Sequence, residues 1–346
     1  MKNSIIFIVL SVILIVASLL SLCLGAVQIS VSELMAIIGH QLGFTDGATF
    51  QPQQEAVFIN IRLPRVLLGI LVGSALSISG AVIQGLFRNP LAEPGLIGIS
   101  SGAMLFTALL IVVETPLLLL IKTYMGYYAL AFSAFVGACL TTWMVYRLSM
   151  RNGKADITTL LLSGIAINAL SGAFTGLLIF LANDEQLRNI TFWSLGSLGG
   201  ANWKTVTTML PFAIIPVAIL PFFAKSINGL ALGEAQAMHM GINVSTLKKI
   251  IILLATLGVG ASVAVTGLIG FVGLVVPHII RMSLSSDHRL VIPASALLGA
   301  IVLLLSDLIA RTIASPAELP IGILTAMIGT PIFIYIIVHE RKKRFF

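Results

Sequence analysis

Apolar runs recur almost from one end of the chain to the other, separated by short polar segments, and most are long enough, at about 20 residues, to cross a bilayer. Runs and breakers predict ten spans, near 4–26, 62–85, 95–113, 124–147, 157–182, 205–224, 248–268, 270–284, 291–313 and 319–338, the eighth being short and the third weakly bounded. The first run, Ile5 to Leu24, exceeds the roughly 7–15 residue core of a signal peptide, and Leu22 rather than a small residue precedes Cys23, so it reads as a span and not a leader. The expected fold is an all-α integral membrane protein, one transmembrane domain over 1–346, with its longest inner loop at about 226–247.

Composition agrees with that pattern. Of 346 residues, 58% are hydrophobic and 10% charged, against roughly 25% charged in a soluble domain, which leaves no room for a soluble catalytic unit. The net charge of +7 does not indicate nucleic acid, because the basic residues form no stripe with interleaved aromatics. Their placement follows topology. With the N-terminus inside, the inner segments hold Lys2, Arg88, Arg147, Arg151, Lys154, Lys225, Lys248, Lys249, Arg281, Arg289 and the tail 341–344, which is 14 of the 20 lysines and arginines. The outer segments hold Arg62, Arg65, Lys122, Arg188, Lys204 and Arg311 together with Glu33, Asp46, Glu55, Glu114, Asp184, Glu185 and Glu318. The positive-inside rule then places both termini in the cytoplasm. Cys23 and Cys139, each in an apolar run, read as small buried residues with no disulfide framework.

Gly73, Gly80 and Pro90 have the same spacing as Gly260, Gly267 and Pro277. The two sets start on the second and seventh spans, an odd number of crossings apart, so the spacing predicts an inverted repeat of spans 2–5 and 7–10, a transporter signature. Chance is the competing reading in a glycine-rich chain.

Three polar features carry candidate chemistry. Arg88-Asn-Pro-Leu-Ala-Glu-Pro-Gly95 is a twice proline-broken inner turn, either a gate held in a defined shape or a tight connection. Arg62, Arg65 and Arg311 put positive charge at the outer mouth, where they would meet acidic partners or snorkel to lipid phosphates, with Asp307 four residues before Arg311 as a possible intrahelical partner. Between glycines of the inner loop, Glu234 opens a short amphipathic helix suited to docking on a cytosolic partner or to resting on headgroups. Met238-His239-Met240 is rejected as a metal site, because consecutive helical residues do not face one another. No ATP-binding loop or hydrolase motif occurs. Glu93, Asp156 and Asp287 fall in loops, so no intramembrane carboxylate pair is expected and proton coupling is disfavoured.

The motifs Arg62-Leu-Pro-Arg65, Arg88 to Gly95, Gly270-Phe-Val-Gly-Leu-Val-Val-Pro-His278, Asp287-His-Arg289 and Pro316-Ala-Glu-Leu-Pro320, spread over Arg62 to Val338, resemble the permeases of the iron-complex, haem and cobalamin branch of the ABC importers, which have ten spans per subunit. The resemblance implies a multi-pass protein of the bacterial cytoplasmic membrane. Its partners would be a second permease copy, two cytosolic ATPase subunits that carry the ATP and magnesium, and a periplasmic or lipoprotein substrate-binding protein. It implies no cofactor, metal or catalytic residue in this subunit. Carried over, Arg62, Arg65 and Arg311 match the outer arginines that meet the binding protein. Asn89 and Leu91 match the inner gate, with Ile157, Thr158 and Thr159 as its other side, although Ile157 stands where the cobalamin member has a small polar residue. Leu232, Gly233, Glu234, Ala235, Met238 and Gly241 match the segment that couples to the ATPase. The stretch 184–199 is most similar to haem-type permeases, with ferric siderophores and cobalamin as the alternative cargoes. A gradient-driven secondary transporter is the rival from a different class.

Overall fold

The computed structural model describes residues 2–44, 50–113, 115–151, 154–314 and 317–343. Asp46, Glu114, Pro316 and Arg344, singled out above, lie outside the described residues.

Every predicted span has a helix. Among the described residues, seven helical segments are long and apolar enough to cross a membrane and three more are apolar but shorter. In order, the spans are α1 (Lys2–Cys23), α4 (Leu63–Phe87), α5 (Ile99–Val112), α7 (Ala129–Leu148), α8 (Ile157–Leu181), α10 (Trp203–Ile219), α13 (Val244–Thr266), α14 (Val272–Ser283), α15 (His288–Ile313) and α16 (Ile321–Lys343). Between them, among the described residues, lie six shorter helices, α2 (Val31–Gln41), α3 (Pro52–Val57), α6 (Pro116–Met125), α9 (Asp184–Leu195), α11 (Ala224–Ala231) and α12 (Glu234–His239). Two-residue strands β1 (Met150–Arg151) and β2 (Lys154–Ala155) form a small antiparallel hairpin, the one departure from an all-α chain among the described residues.

Helices α2 and α9 have no counterpart among the predicted spans. Each begins with a capping box, Ser30 with Glu33 and Asn183 with Gln186. Each is half polar and buries only one or two apolar side chains, Leu34 and Ile37 on α2 and Ile190 on α9. A search tuned to membrane-length apolar runs passes over such elements.

The repeat is present, but the glycine spacing does not mark it. Spans 2–5 (α4, α5, α7, α8) and 7–10 (α13, α14, α15, α16) both follow a long, short, long, long order. α4 packs on α14 and α15, and α13 packs reciprocally on α5 and α7, the exchange a two-fold relation requires. The matched residues themselves are not equivalent. Gly80 sits mid-helix in α4, where a Cβ would lie 1.7 Å from the Gly273 carbonyl oxygen, whereas Gly267 ends α13 at φ +73°. Pro90 lies in a turn, whereas Pro277 lies inside α14. The shared spacing is the coincidence weighed above, while close backbone approach at Gly73 to Gly299 and at Gly80 to Gly273 is real and joins α4 to α15 and α14.

The short spans need explanation. At 1.5 Å per residue α5 and α14 cover about 21 and 18 Å, less than the roughly 30 Å hydrocarbon core. Non-helical backbone supplies part of the remainder: the Asn89–Glu93 turn and a single 3₁₀ turn Pro94–Ile97 lead into α5, and the stretch Gly267–Phe271 leads into α14. Such backbone is tolerated at depth only where protein covers it or a cavity adjoins it. Here α8 covers the first, with Gly164 against the Leu96 carbonyl and Asn168 Nδ2 donating to the Gly95 carbonyl at 3.1 Å. The end of α9 and the start of α16 cover the second, through Gly196 against the Leu268 carbonyl and Gly322 against the Leu195 and Leu268 carbonyls.

Candidate functional site: two faces and a broken path

At the α12 face, the short helix that the glycine stops predict is present and begins at Glu234. Gly233 (φ +120°) precedes it, Glu234 occupies its first turn and Gly241 (φ +80°) follows it. Leu232, Ala235 and Met238 are exposed, whereas Ala237 is buried against the body. What the sequence did not disclose is its wiring. The buried Lys248 Nζ, one turn into α13, donates to both Glu234 carboxylate oxygens at 2.8 Å and to the Ala155 carbonyl at 2.7 Å. Two residues past Ala155, α8 begins with Ile157, Thr158 and Thr159. Asp156 caps that helix: its Oδ2 accepts from the Thr159 N–H at 2.7 Å and from the Thr159 hydroxyl at 2.8 Å, so this hydroxyl is spent on the cap, while Thr158 is exposed.

A second link leaves α11. Asn228 Nδ2 donates to Asp287 at 2.6 Å, and Asn228 Oδ1 accepts from the His288 N–H at 3.1 Å, tying α11 to the start of α15. Hydrogen bonds from the Arg289 N–H and then from Asn228 hold the Asp287 carboxyl below its usual range. Gly85 of α4 packs against Ile227 of α11 so closely that a Cβ there would lie 2.4 Å from the isoleucine side chain. The α11–α12 segment is thereby connected to spans 2, 5, 7 and 9.

The Asn89 turn is held from within. Asn89 Oδ1 accepts from the Leu91 N–H at 3.0 Å, and Arg88 adopts a left-handed conformation (φ 50°) that ends α4. With Ala231, Arg281 and His288, this turn lines a cavity of about 370 Å³. Asn168, a residue the sequence reading passed over, accepts from the Ser101 hydroxyl at 2.6 Å and so ties α5, α8 and the turn together.

Arg62, Arg65 and Arg311 come together, but not as free charges. Arg65 makes a fork to Asp307 (Nε at 3.0 Å, Nη2 at 2.9 Å) and a second to Glu318 (2.8 and 3.0 Å). Arg62, at the end of a π-helical turn (Phe58–Arg62), donates to the carbonyls of Leu22 and Cys23 at the end of α1 and of Val27 beyond it. Arg311 donates to the Ser21 hydroxyl at 2.9 Å, with its Nε 3.7 Å from Asp307. Arg62 and Arg65 are 3% and 8% exposed, so the acidic partners of Arg65 lie within the chain and Arg62 is taken up by backbone carbonyls. Asp307 is a single buried carboxylate within α15, not one of a pair, and Arg65 occupies it. Hydrogen bonding from Arg65 holds the Glu318 carboxyl low.

The chain is similar to known proteins in sequence and in fold. The hemin transport system permease protein HmuU of Yersinia pestis is 47% identical over 292 residues, 83% of this chain and 85% of that one. The cobalamin import system permease protein BtuC of Halobacterium salinarum is 38% identical over 294 residues, 85% of this chain and 76% of that one. A solved structure described as an inward-facing conformation of a putative metal-chelate type ABC transporter superposes with a TM-score of 0.82 at 31% identity, covering 97% of this chain and 99% of that one. The FecCD transport family matches residues 13–339, and this chain belongs to that family.

Proposed function

We propose that this chain is the membrane-spanning subunit of an ATP-driven importer, with haem as its cargo. The observation that carries the importer reading is the α12 face: an exposed short helix whose carboxylate is bonded to Lys248 and, through it, to the hairpin that precedes α8. A cytosolic ATPase pressing on Leu232, Ala235 and Met238 would move α13 and the start of α8 together. Through Asn228, the same push would reach α15. Haem is supported by the higher identity to the hemin permease than to the cobalamin permease.

In this reading both termini face the cytoplasm, in line with 14 of the 20 basic residues lying on that side. A second copy of the chain completes the path against the exposed side of α8, where Leu162, Ile165 and Phe174 project. Asn89 and Leu91, with Ile157 to Thr159, narrow the path at its inner end. The outer arginines act on the binding protein indirectly, by holding Glu318 and the end of α1 in place. Transport is alternating access without covalent chemistry, and ATP and magnesium belong to the partner. Gradient-driven proton coupling is disfavoured by Asp307, whose oxygens are already taken by Arg65.

The test is ATP-dependent uptake into proteoliposomes holding this chain with its cognate ATPase and binding protein, offered haem, ferric siderophores and cobalamin in parallel. Haem accumulation alone supports both parts of the reading. Siderophore or cobalamin accumulation keeps the importer and replaces the cargo, and uptake that ignores ATP overturns both.

A further inference from the structure

Two cavities follow one another along the seam between α7 and α13. The one farther from α12, about 330 Å³, is walled by side chains such as Phe132, Phe135, Phe212 and Val265, with no charged group in its lining. The one nearer α12, about 290 Å³, is lined by Cys139, Thr142, Trp143, Tyr146, Lys249 and Leu253 among others. Its chemistry is graded with depth. Cys139, deepest on α7, and Leu253 on α13 give an apolar slot. Above them the Thr142 and Tyr146 hydroxyls are buried with no hydrogen-bond partner, which is unfavourable unless a ligand supplies acceptors. At the mouth stand Lys249, exposed, and Arg147, whose guanidinium lies 5.9 Å from the Trp143 ring centroid. Among the described residues neither cation has a carboxylate partner, in contrast to the adjacent Lys248, which Glu234 takes up.

An apolar slot, then unsatisfied hydroxyl donors, then unpaired cations is the order of groups along a phospholipid entering from the α12 side of the bilayer. We propose that this groove is a binding site for one anionic phospholipid of the surrounding membrane. Its acyl chain fills the slot by Cys139 and Leu253, and its ester oxygens accept from Thr142 and Tyr146. Its phosphate and acidic headgroup sit between Lys249 and Arg147. The other cavity along the same seam, apolar apart from Tyr128 and Thr208 and without a charged group, takes an acyl chain with no headgroup preference. Since Lys249 adjoins Lys248, the lipid braces the end of α13 that the coupling helix holds. The site stands on α7 and α13 alone, whatever the cargo.

Trp143 is a built-in reporter, because it is 59% exposed and lines the groove. With Trp193→Phe and Trp203→Phe removing the other two tryptophans, the protein is placed in phosphatidylcholine nanodiscs containing a minority of brominated-tail phosphatidylglycerol or brominated-tail phosphatidylcholine. The expected result is stronger quenching by the phosphatidylglycerol, with that preference falling about fivefold in Lys249→Gln and unchanged in Phe135→Ala. Equal quenching by the two headgroups, or a preference that Lys249→Gln and Arg147→Gln together leave intact, overturns the proposal. Native mass spectrometry of the unsubstituted chain from equimolar mixed-lipid micelles gives a second readout: retained phosphatidylglycerol in excess supports the site, and equal retention overturns it.

Discussion

Lys248 and Glu234, 14 positions apart, meet with the ammonium 2.8 Å from each carboxylate oxygen, and the lysine is almost wholly buried while the glutamate is about one-third exposed. The asymmetry decides what each substitution does. Glu234→Ala leaves a buried ammonium with only the Ala155 carbonyl, whereas Lys248→Met removes the charge and keeps most of the packing. The double variant should therefore recover part of the loss of Glu234→Ala, with a coupling energy of about 1–3 kcal/mol. Thermal unfolding in detergent measures the cycle, and ATP-driven uptake should fall in both single variants even where the protein remains folded.

The Arg65 clamp makes a second contrast. Asp307→Asn leaves the buried guanidinium of Arg65 without its main counter-charge and should destabilise the protein by about 3–5 kcal/mol. Glu318→Gln removes a partner that is half exposed and should cost about 1 kcal/mol or less. Arg65→Lys should not rescue the site, because one ammonium cannot make two forks. Comparable melting shifts for the Asp307 and Glu318 variants would show that the two forks are equally buried in the working protein.

Acid should release the same clamp. Arg65 depresses the Glu318 carboxyl in the folded state. A group with a lowered folded pKa contributes stability that is complete above its unfolded value, about 4.3, and is lost as pH falls through the lower folded value. Melting temperature measured from pH 7 downward should show wild type and Glu318→Gln converging below about pH 4. A constant gap across that range would mean that the fork contributes nothing through ionisation.

Helix contact is tested at two glycines. A Cβ at Gly80 would lie 1.7 Å from the Gly273 carbonyl oxygen, so Gly80→Ala must push α4 from α14 and should cost at least about 1–3 kcal/mol. Gly172 on α8 has nothing within 4 Å of the corresponding position, and Gly172→Ala should leave the fold intact, with a gain of up to about 1 kcal/mol from helix propensity. Circular dichroism and melting of the purified variants would distinguish them.

The sequence by itself determined the solvent, the number of spans and the position of the short α12 helix, because apolar run length and glycine stops are local properties of the chain. It also brought out Arg62, Arg65 and Arg311 as a set and Glu234 as a helix start. It could not show that the arginines are consumed internally, since Arg65 and Asp307 are 242 positions apart and their meeting depends on how α4 crosses α15. The glycine spacing indicated the right repeat from residues that are not equivalent, because a spacing carries no information about which helix face packs. Lys248 and Asn168 were missed for a related reason. A lone lysine at a span end and a lone asparagine in a span look like a topology signal and a polar interruption, until folding brings Glu234 and Ala155 to one and the Gly95 carbonyl to the other. Buried polar groups must find partners, but which partners they find is decided by the packing of helices remote in the chain.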